Sequence, residues 1–78
     1  MFYTPRKMFV EIYKNDKLQV REMREERRHY ILDDMLRELY PNINTETLIR
    51  RYYHAEATGN RKVKISEDEY IIIWYLSM

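Results

Sequence analysis

Two helix-forming segments within Tyr30–Gly59 constrain this fold most, because only the short stretch Pro41–Ile43 separates them. Apolar residues recur at helical spacing in the first segment, at Ile31, Leu32, Met35, Leu36 and Leu39. Proline cannot continue a helix and disfavours helical geometry at the residue before it, so the first helix is predicted to run from Tyr30 to Tyr40. Two amphipathic helices on so short a connection must pack together or cross steeply, as in a helix-turn-helix unit.

The second segment carries signals for both of its ends. Asn44 is a preferred N-cap residue, and Ile43 and Leu48 have the spacing of a hydrophobic staple around it. Gly59 follows the last periodic residue, where a left-handed residue commonly ends a helix. These signals predict a helix from Asn44 to Gly59.

The second helix separates into two faces. Its apolar stripe is predicted to lie in the core and consists of Leu48, Ile49, Tyr52 and Tyr53. Its polar and basic stripe is predicted to face outward and consists of Thr47, Arg50, Arg51, His54 and Thr58.

The N-terminal part, Met8 to Met23, alternates apolar and polar residues around Asn15-Asp16, which predicts a β-hairpin. A rival interpretation starts a long helix at Leu18, because several later apolar residues also fit a helical period. The dense charged block Arg21–His29 is predicted to form the solvated first turns of the first helix.

The C-terminal part carries conflicting signals. Alternation in Asn60–Ile65 predicts a short strand. Ser66 and Glu69 match a capping box that would begin a helix, whereas the β-branched and aromatic run that follows favours a strand. We favour a central strand buried on both faces, with the acidic residues in the turn before it. The chain is therefore predicted to be α+β, with a small antiparallel sheet or wing completed by its C-terminal segment.

Composition narrows the classes of function. The 78 residues indicate a single domain, 1–78, and the absence of cysteine excludes disulfides and thiol-based metal sites. The apolar run Tyr70–Leu76 is far shorter than the roughly 20 residues that a membrane-spanning helix needs. The N-terminus has no long apolar run of the kind that a signal peptide contains. These features predict a cytoplasmic protein that does not enter a membrane.

No arrangement of residues typical of catalysis is visible. Asp33 and Asp34 are adjacent, so on a helix they diverge by about 100° and cannot face one substrate together. His29 and His54 lie far apart, and neither has a second ligand at metal-binding spacing. We therefore predict a non-enzymatic protein without a metal, a cofactor or a small-molecule substrate.

Positive charge is concentrated in one part of the chain. The segment Asn44–Lys64 carries a net charge of +3, whereas the whole chain carries +1, which leaves −2 for the rest. A helix with an exposed basic stripe, followed by a basic turn, resembles the recognition helix and wing of a winged helix-turn-helix protein. This resemblance implies a DNA-binding transcriptional regulator or accessory factor that binds double-stranded DNA. The predicted contact residues are Thr47, Arg50, Arg51, His54, Arg61 and Lys62.

Two features oppose this prediction: the nearly neutral overall charge, and an acidic Ser66–Glu69 turn that would occupy the tip of a wing. The alternative is a protein-binding inhibitor or adaptor, or a homodimer. The eight tyrosines exceed what a small core needs, and tyrosine beside arginine is typical of interface hot spots. Small proteins of mobile elements often have this composition.

Overall fold

A computed structural model describes residues 6–26 and 31–77 of the chain. This part of the chain forms, in order, β1 (Arg6–Lys14), β2 (Lys17–Glu26), α1 (Ile31–Leu39), α2 (Thr45–Thr58), β3 (Val63–Lys64) and β4 (Glu69–Ser77). The strands form one antiparallel sheet in the order β2-β1-β4-β3. The predicted α+β fold, with an N-terminal hairpin, two central helices and a C-terminal strand, is confirmed.

The N-terminal hairpin forms around the predicted turn. Asn15 and Asp16 both have positive φ angles, 52° and 62°, as a tight hairpin turn with the twist of the flanking strands requires. Leu18 pairs with Tyr13 across the turn, so the rival helix beginning at Leu18 is wrong. Strand pairing continues to the far end of the hairpin, where Arg6 lies opposite Glu26.

The described part of the charged block is a strand and does not begin the first helix, contrary to the prediction. Its residues 21–26 belong to β2, and residues 27–30 lie outside the described part of the chain. These residues form a strand despite their helix propensity, because their backbone groups form hydrogen bonds with β1. Arg24 also forms a forked pair with Glu38 of α1, at 2.8 and 2.9 Å between nitrogen and oxygen atoms, which ties β2 to the helices.

The final segment is strand β4, so the capping box at Ser66 does not begin a helix. The backbone N–H groups of Ile65 and Ser66 both donate to the carbonyl of Glu69, which closes the acidic turn before the strand. β4 lies centrally in the sheet, as predicted. The expectation that both of its faces are buried is wrong, because Trp74 on the second face is only half-buried.

The core lies between the helices and one face of the sheet. Alternate residues of the two central strands are buried there together with residues from both helices and β3: Met8, Val10, Met35, Leu36, Leu48, Ala55, Val63, Ile71 and Ile73. The opposite face of the sheet, called the outer face below, carries the intervening residues. No helix of the described residues is long and apolar enough to span a membrane.

The connection between the helices is anchored to the sheet by Tyr40. Its hydroxyl donates to Oε2 of Glu69 at 3.1 Å. Burial, together with the neighbouring carboxylate of Glu69, raises the pKa of the Tyr40 hydroxyl well above its ordinary value. The bond from this hydroxyl to Glu69 fixes the end of α1 against β4.

Candidate nucleic-acid interface

Helix α2 presents most of its surface outward. Its cap residues are those predicted: the side chain of Asn44 accepts from backbone N–H groups of the first turn, and Gly59 is left-handed with φ 76°. Its buried residues are Leu48 and Ala55, one helical face, with Tyr52 partly buried between them. Tyr53 is 63% exposed, so its predicted place in the core is wrong. A stripe this narrow leaves the predicted basic face free of the core.

A basic groove of about 530 Å³ lies between α2 and the segment that follows it. Its lining consists of Arg50, Arg51, His54, Asn60, Lys62 and Lys64. The structure thus brings together four of the six residues predicted from the sequence. None of these lining residues is a carboxylate. The groove, called the basic groove below, combines positive charge with the amide of Asn60.

A sharp reversal of the chain after α2 creates this groove. Gly59 and Arg61 both have left-handed backbone angles, with φ values of 76° and 66°. The backbone N–H of Arg61 donates back to the carbonyl of Ala55 at 3.1 Å, which holds the reversal against the helix. Val63 is then fully buried and pairs with Ile71, so the lysines on either side of it point away from the core.

Arg51 has a structural role in the groove. Its Nη1 donates to the backbone carbonyl of Lys64 at 2.8 Å, which joins α2 to β3 across the groove. A guanidinium that donates to a neutral carbonyl retains its charge. Neither Arg51 nor Arg50 forms an ion pair with a described carboxylate, and both side chains are exposed.

The remaining two predicted residues lie outside the lining. Thr47 is in the first turn of α2, where its backbone N–H donates to the cap residue Asn44, and its side chain is half-buried. Arg61 is exposed at the chain reversal. Conversely, Lys64 and Asn60 were not predicted as contact residues. The alternation of Lys62 and Lys64 around Val63 could have identified Lys64 as a contact residue. In a strand both lysines lie on the side away from the buried Val63.

The acidic turn lies beside one end of the groove. Nζ of Lys64 is 3.7 Å from a carboxylate oxygen of Glu67, an exposed pair. The turn is held against the N-terminal hairpin, since the backbone N–H of Asn15 donates to the carbonyl of Asp68 at 2.8 Å. At the same end, Nζ of Lys62 lies 4.9 Å from the ring centre of Tyr70. Glu67 therefore offsets part of the positive charge at this end of the groove.

A larger groove, of about 710 Å³, lies where the two helices meet. Its lining includes Asp33 and Glu46 beside Arg37, so its charges are of mixed sign and do not favour a polyanion. Among the described residues, no group of three or more His, Cys, Asp or Glu side chains is placed to hold a metal ion. Comparison with protein-family models, curated proteins and solved structures finds no match to this chain.

Proposed function

We propose that this chain is a non-enzymatic cytoplasmic protein that binds double-stranded DNA, as a transcriptional regulator or accessory factor of the winged helix-turn-helix type. The observation that supports the proposal is the basic groove, in which a largely exposed helix and the segment after it present four cationic residues and a histidine. A phosphate backbone binds surfaces of this kind through Lys, Arg and amide donors.

The members of the groove have different roles in this proposal. Arg50 lies in the middle of α2 and contacts base edges or phosphates when the helix enters the major groove. Lys62 and Lys64 contact phosphates of the flanking backbone, and the amide of Asn60 donates to a phosphate oxygen. Arg51 positions β3 beside the helix through its bond to the Lys64 carbonyl and adds charge. The groove has four cationic residues, and Glu67 lies close to one of them, Lys64. We therefore expect about three or four phosphate contacts.

Salt dependence tests the proposal directly. Fluorescence anisotropy with a labelled duplex should show that affinity falls roughly 40- to 150-fold between about 50 and 200 mM KCl, as expected for three or four neutralised phosphates. Arg50→Ala should weaken binding about tenfold at the lower salt concentration and reduce the slope of log affinity against log salt by about 1.

Arg37→Ala provides the matched control, because it removes the same charge from an exposed helix position outside the basic groove. Its affinity should remain within about twofold of the wild type. The DNA proposal is wrong if the wild type does not bind duplex at the lower salt concentration, or if the two variants lose affinity equally.

A protein-binding inhibitor or adaptor is the second candidate, and one observation favours it. Tyr53 is 63% exposed on α2, and its ring packs edge-on against Tyr52 with ring centres 5.3 Å apart. A large aromatic ring held in this way is typical of an interface anchor. Binding of a protein through Tyr53 should be lost in Tyr53→Ala and should change little with salt, which separates it from binding to DNA.

A further inference from the structure

Strand β2 forms one edge of the sheet. Its ten residues, Lys17–Glu26, pair with β1 on one side, and no strand of the described residues pairs with the other side. A row of backbone N–H and C=O groups therefore points to a side without a strand partner, which is the template for a further strand. A β-bulge interrupts β2 only between Leu18 and Val20, close to the hairpin turn. Residues 20–26 pair regularly with β1 and form a straight edge.

Apolar side chains are exposed on both faces of this edge. Val20 lies opposite Ile12 on the face that packs against the helices, and Met23 lies opposite Phe9 on the outer face. Val20 is 43% exposed and Met23 is 52% exposed. A layer packed on one face of the sheet would cover only one of these two side chains, whereas a strand added beside β2 lies next to both. Their exposure therefore favours the addition of a strand at the edge.

The order of charges in β2 indicates which strand fits. Residues 21–25 are Arg, Glu, Met, Arg and Glu, so their signs run plus, minus, neutral, plus and minus. This pattern is antisymmetric about Met23. A second β2 that runs antiparallel, with Met23 opposite Met23 of the second copy, places Glu22 opposite Arg24 and position 21 opposite position 25. Each charge then lies opposite a charge of the other sign, which stabilises a cross-strand pair.

Neighbouring registers lack this complementarity. Directly opposed residues of antiparallel strands lie on the same face of the sheet, so a two-fold axis between two copies of β2 must pass through a residue position. An axis at any of positions 21, 22, 24 or 25 places a charge directly against its own copy. An axis at Val20 brings the β-bulge into the pairing. The match of opposite charges thus comes from the order of residues in β2, and it selects one register.

Glu22 gives a further indication that a positive charge belongs at this edge. Its Oε2 is buried and accepts no hydrogen bond from the described residues. Nη2 of Arg24 is 3.7 Å from this oxygen, which is too far for a hydrogen bond, and Arg24 donates instead to Glu38. A buried carboxylate oxygen usually has a donor. The register about Met23 brings a second guanidinium, from Arg24 of the second copy, to the position opposite Glu22.

We propose that β2 is a homodimer interface, in which two copies pair edge to edge and antiparallel about a two-fold axis at Met23. The axis is perpendicular to the sheet, so the two four-stranded sheets become one continuous sheet with the helices of both copies on the same side. A single pair of strands is a small interface, and a dissociation constant in the micromolar range is expected.

Charges placed at the axis test the proposal, because Met23 meets only its own copy there. Sedimentation equilibrium of the full chain, from about 10 to 500 µM, should show the mass rising from 9.8 kDa toward twice that value. Met23→Glu and Met23→Lys each place like charges opposite each other, and each should weaken the dimer about fivefold or more. An equimolar mixture of the two variants pairs glutamate with lysine and should regain the wild-type affinity within about twofold.

Leu76→Glu is the matched control, because it adds the same charge at a residue that is 50% exposed on β4. Leu76 lies on the outer face, near the aromatic pairs that stack across β1 and β4, Phe9 with Trp74 and Tyr13 with Tyr70. The control should leave the dimer unchanged. A wild type that stays monomeric, a mixture that associates as weakly as its components, or a dimer that Leu76→Glu disrupts would each overturn the proposal.

Cross-linking provides a second readout that needs no charge in the strand. The chain has no cysteine, so Met23→Cys introduces a single thiol at the axis. Directly opposed residues of antiparallel strands have Cα atoms about 4.5–5.5 Å apart, within the range that a disulfide spans. Mild oxidation should therefore link two copies of Met23→Cys but leave Leu76→Cys largely unlinked, and equal linking of both variants would contradict the register. Neither experiment contains DNA, so their outcomes are independent of the proposed duplex binding.

Discussion

Replacing Leu48 with alanine is expected to lower the free energy of unfolding by about 3 kcal/mol, since a buried leucine truncated to alanine loses its transfer free energy and leaves a cavity. Leu48 is fully buried and belongs to the core that α2 shares with α1, β3 and the sheet. A domain of this size has only about 4–12 kcal/mol of stability in total. The variant should therefore unfold at a much lower denaturant concentration.

Urea unfolding followed by circular dichroism measures this effect. Val20→Ala is the control, because Val20 is 43% exposed on the edge strand β2. This substitution should lower the free energy of unfolding by less than about 1 kcal/mol. Equal losses in the two variants would contradict the assignment of Leu48 to the core. Leu48 and Arg50 lie on opposite sides of α2. Packing of Leu48 in the core therefore directs Arg50 into the basic groove.

Reversing two charges in the basic groove is expected to have the largest effect on binding. In Arg50→Glu with Lys62→Glu, two phosphate contacts are lost and two repulsions are added. Affinity for duplex DNA should fall by more than about 100-fold at 50 mM salt. Fluorescence anisotropy measures the loss, and circular dichroism checks that the fold is retained.

The control for the charge reversal carries the same change in net charge elsewhere. Arg37→Glu with Lys17→Glu alters two exposed residues, one on α1 and one beside the hairpin turn, and neither lines the basic groove. This variant should retain most of its affinity, because screening limits the effect of distant charges. If both double variants bind equally weakly, binding depends on net charge alone and the groove is not the site.

Local signals in the sequence were sufficient for α2 and for the hairpin. Asn44 and Gly59 set the ends of α2 through bonds and backbone angles within a few residues of each helix end. Asn15 and Asp16 set the turn of the hairpin in the same way. Because the basic stripe follows from the period of this helix, the outward positions of Arg50, Arg51 and His54 were also predictable.

Features that depend on distant parts of the chain were not predictable. The charged residues Arg21–Glu26 have helical propensity, and only their pairing with β1 makes them a strand. The helical period places Tyr53 in the apolar stripe of α2. The elements that pack against α2 cover only part of this stripe and leave Tyr53 exposed. The groove needs the left-handed backbone at Arg61, for which arginine gives no signal.

The outer face is the clearest case of dependence on tertiary structure. Its aromatic pairs join β1 to β4, which lie at opposite ends of the sequence, and the register between them decides which rings meet. Tyrosine and tryptophan in the sequence indicated a contact surface in general. The stacking of their rings requires the paired strands.

A titration of the ¹⁵N-labelled protein with duplex DNA, followed by NMR, tests the central claim most directly. The account predicts that backbone shifts change in α2 around Arg50–His54 and in residues 60–64, while β1 and β2 on the outer face remain unchanged. Shift changes confined to the outer face or to the groove between the helices, or no changes at low salt, would contradict it.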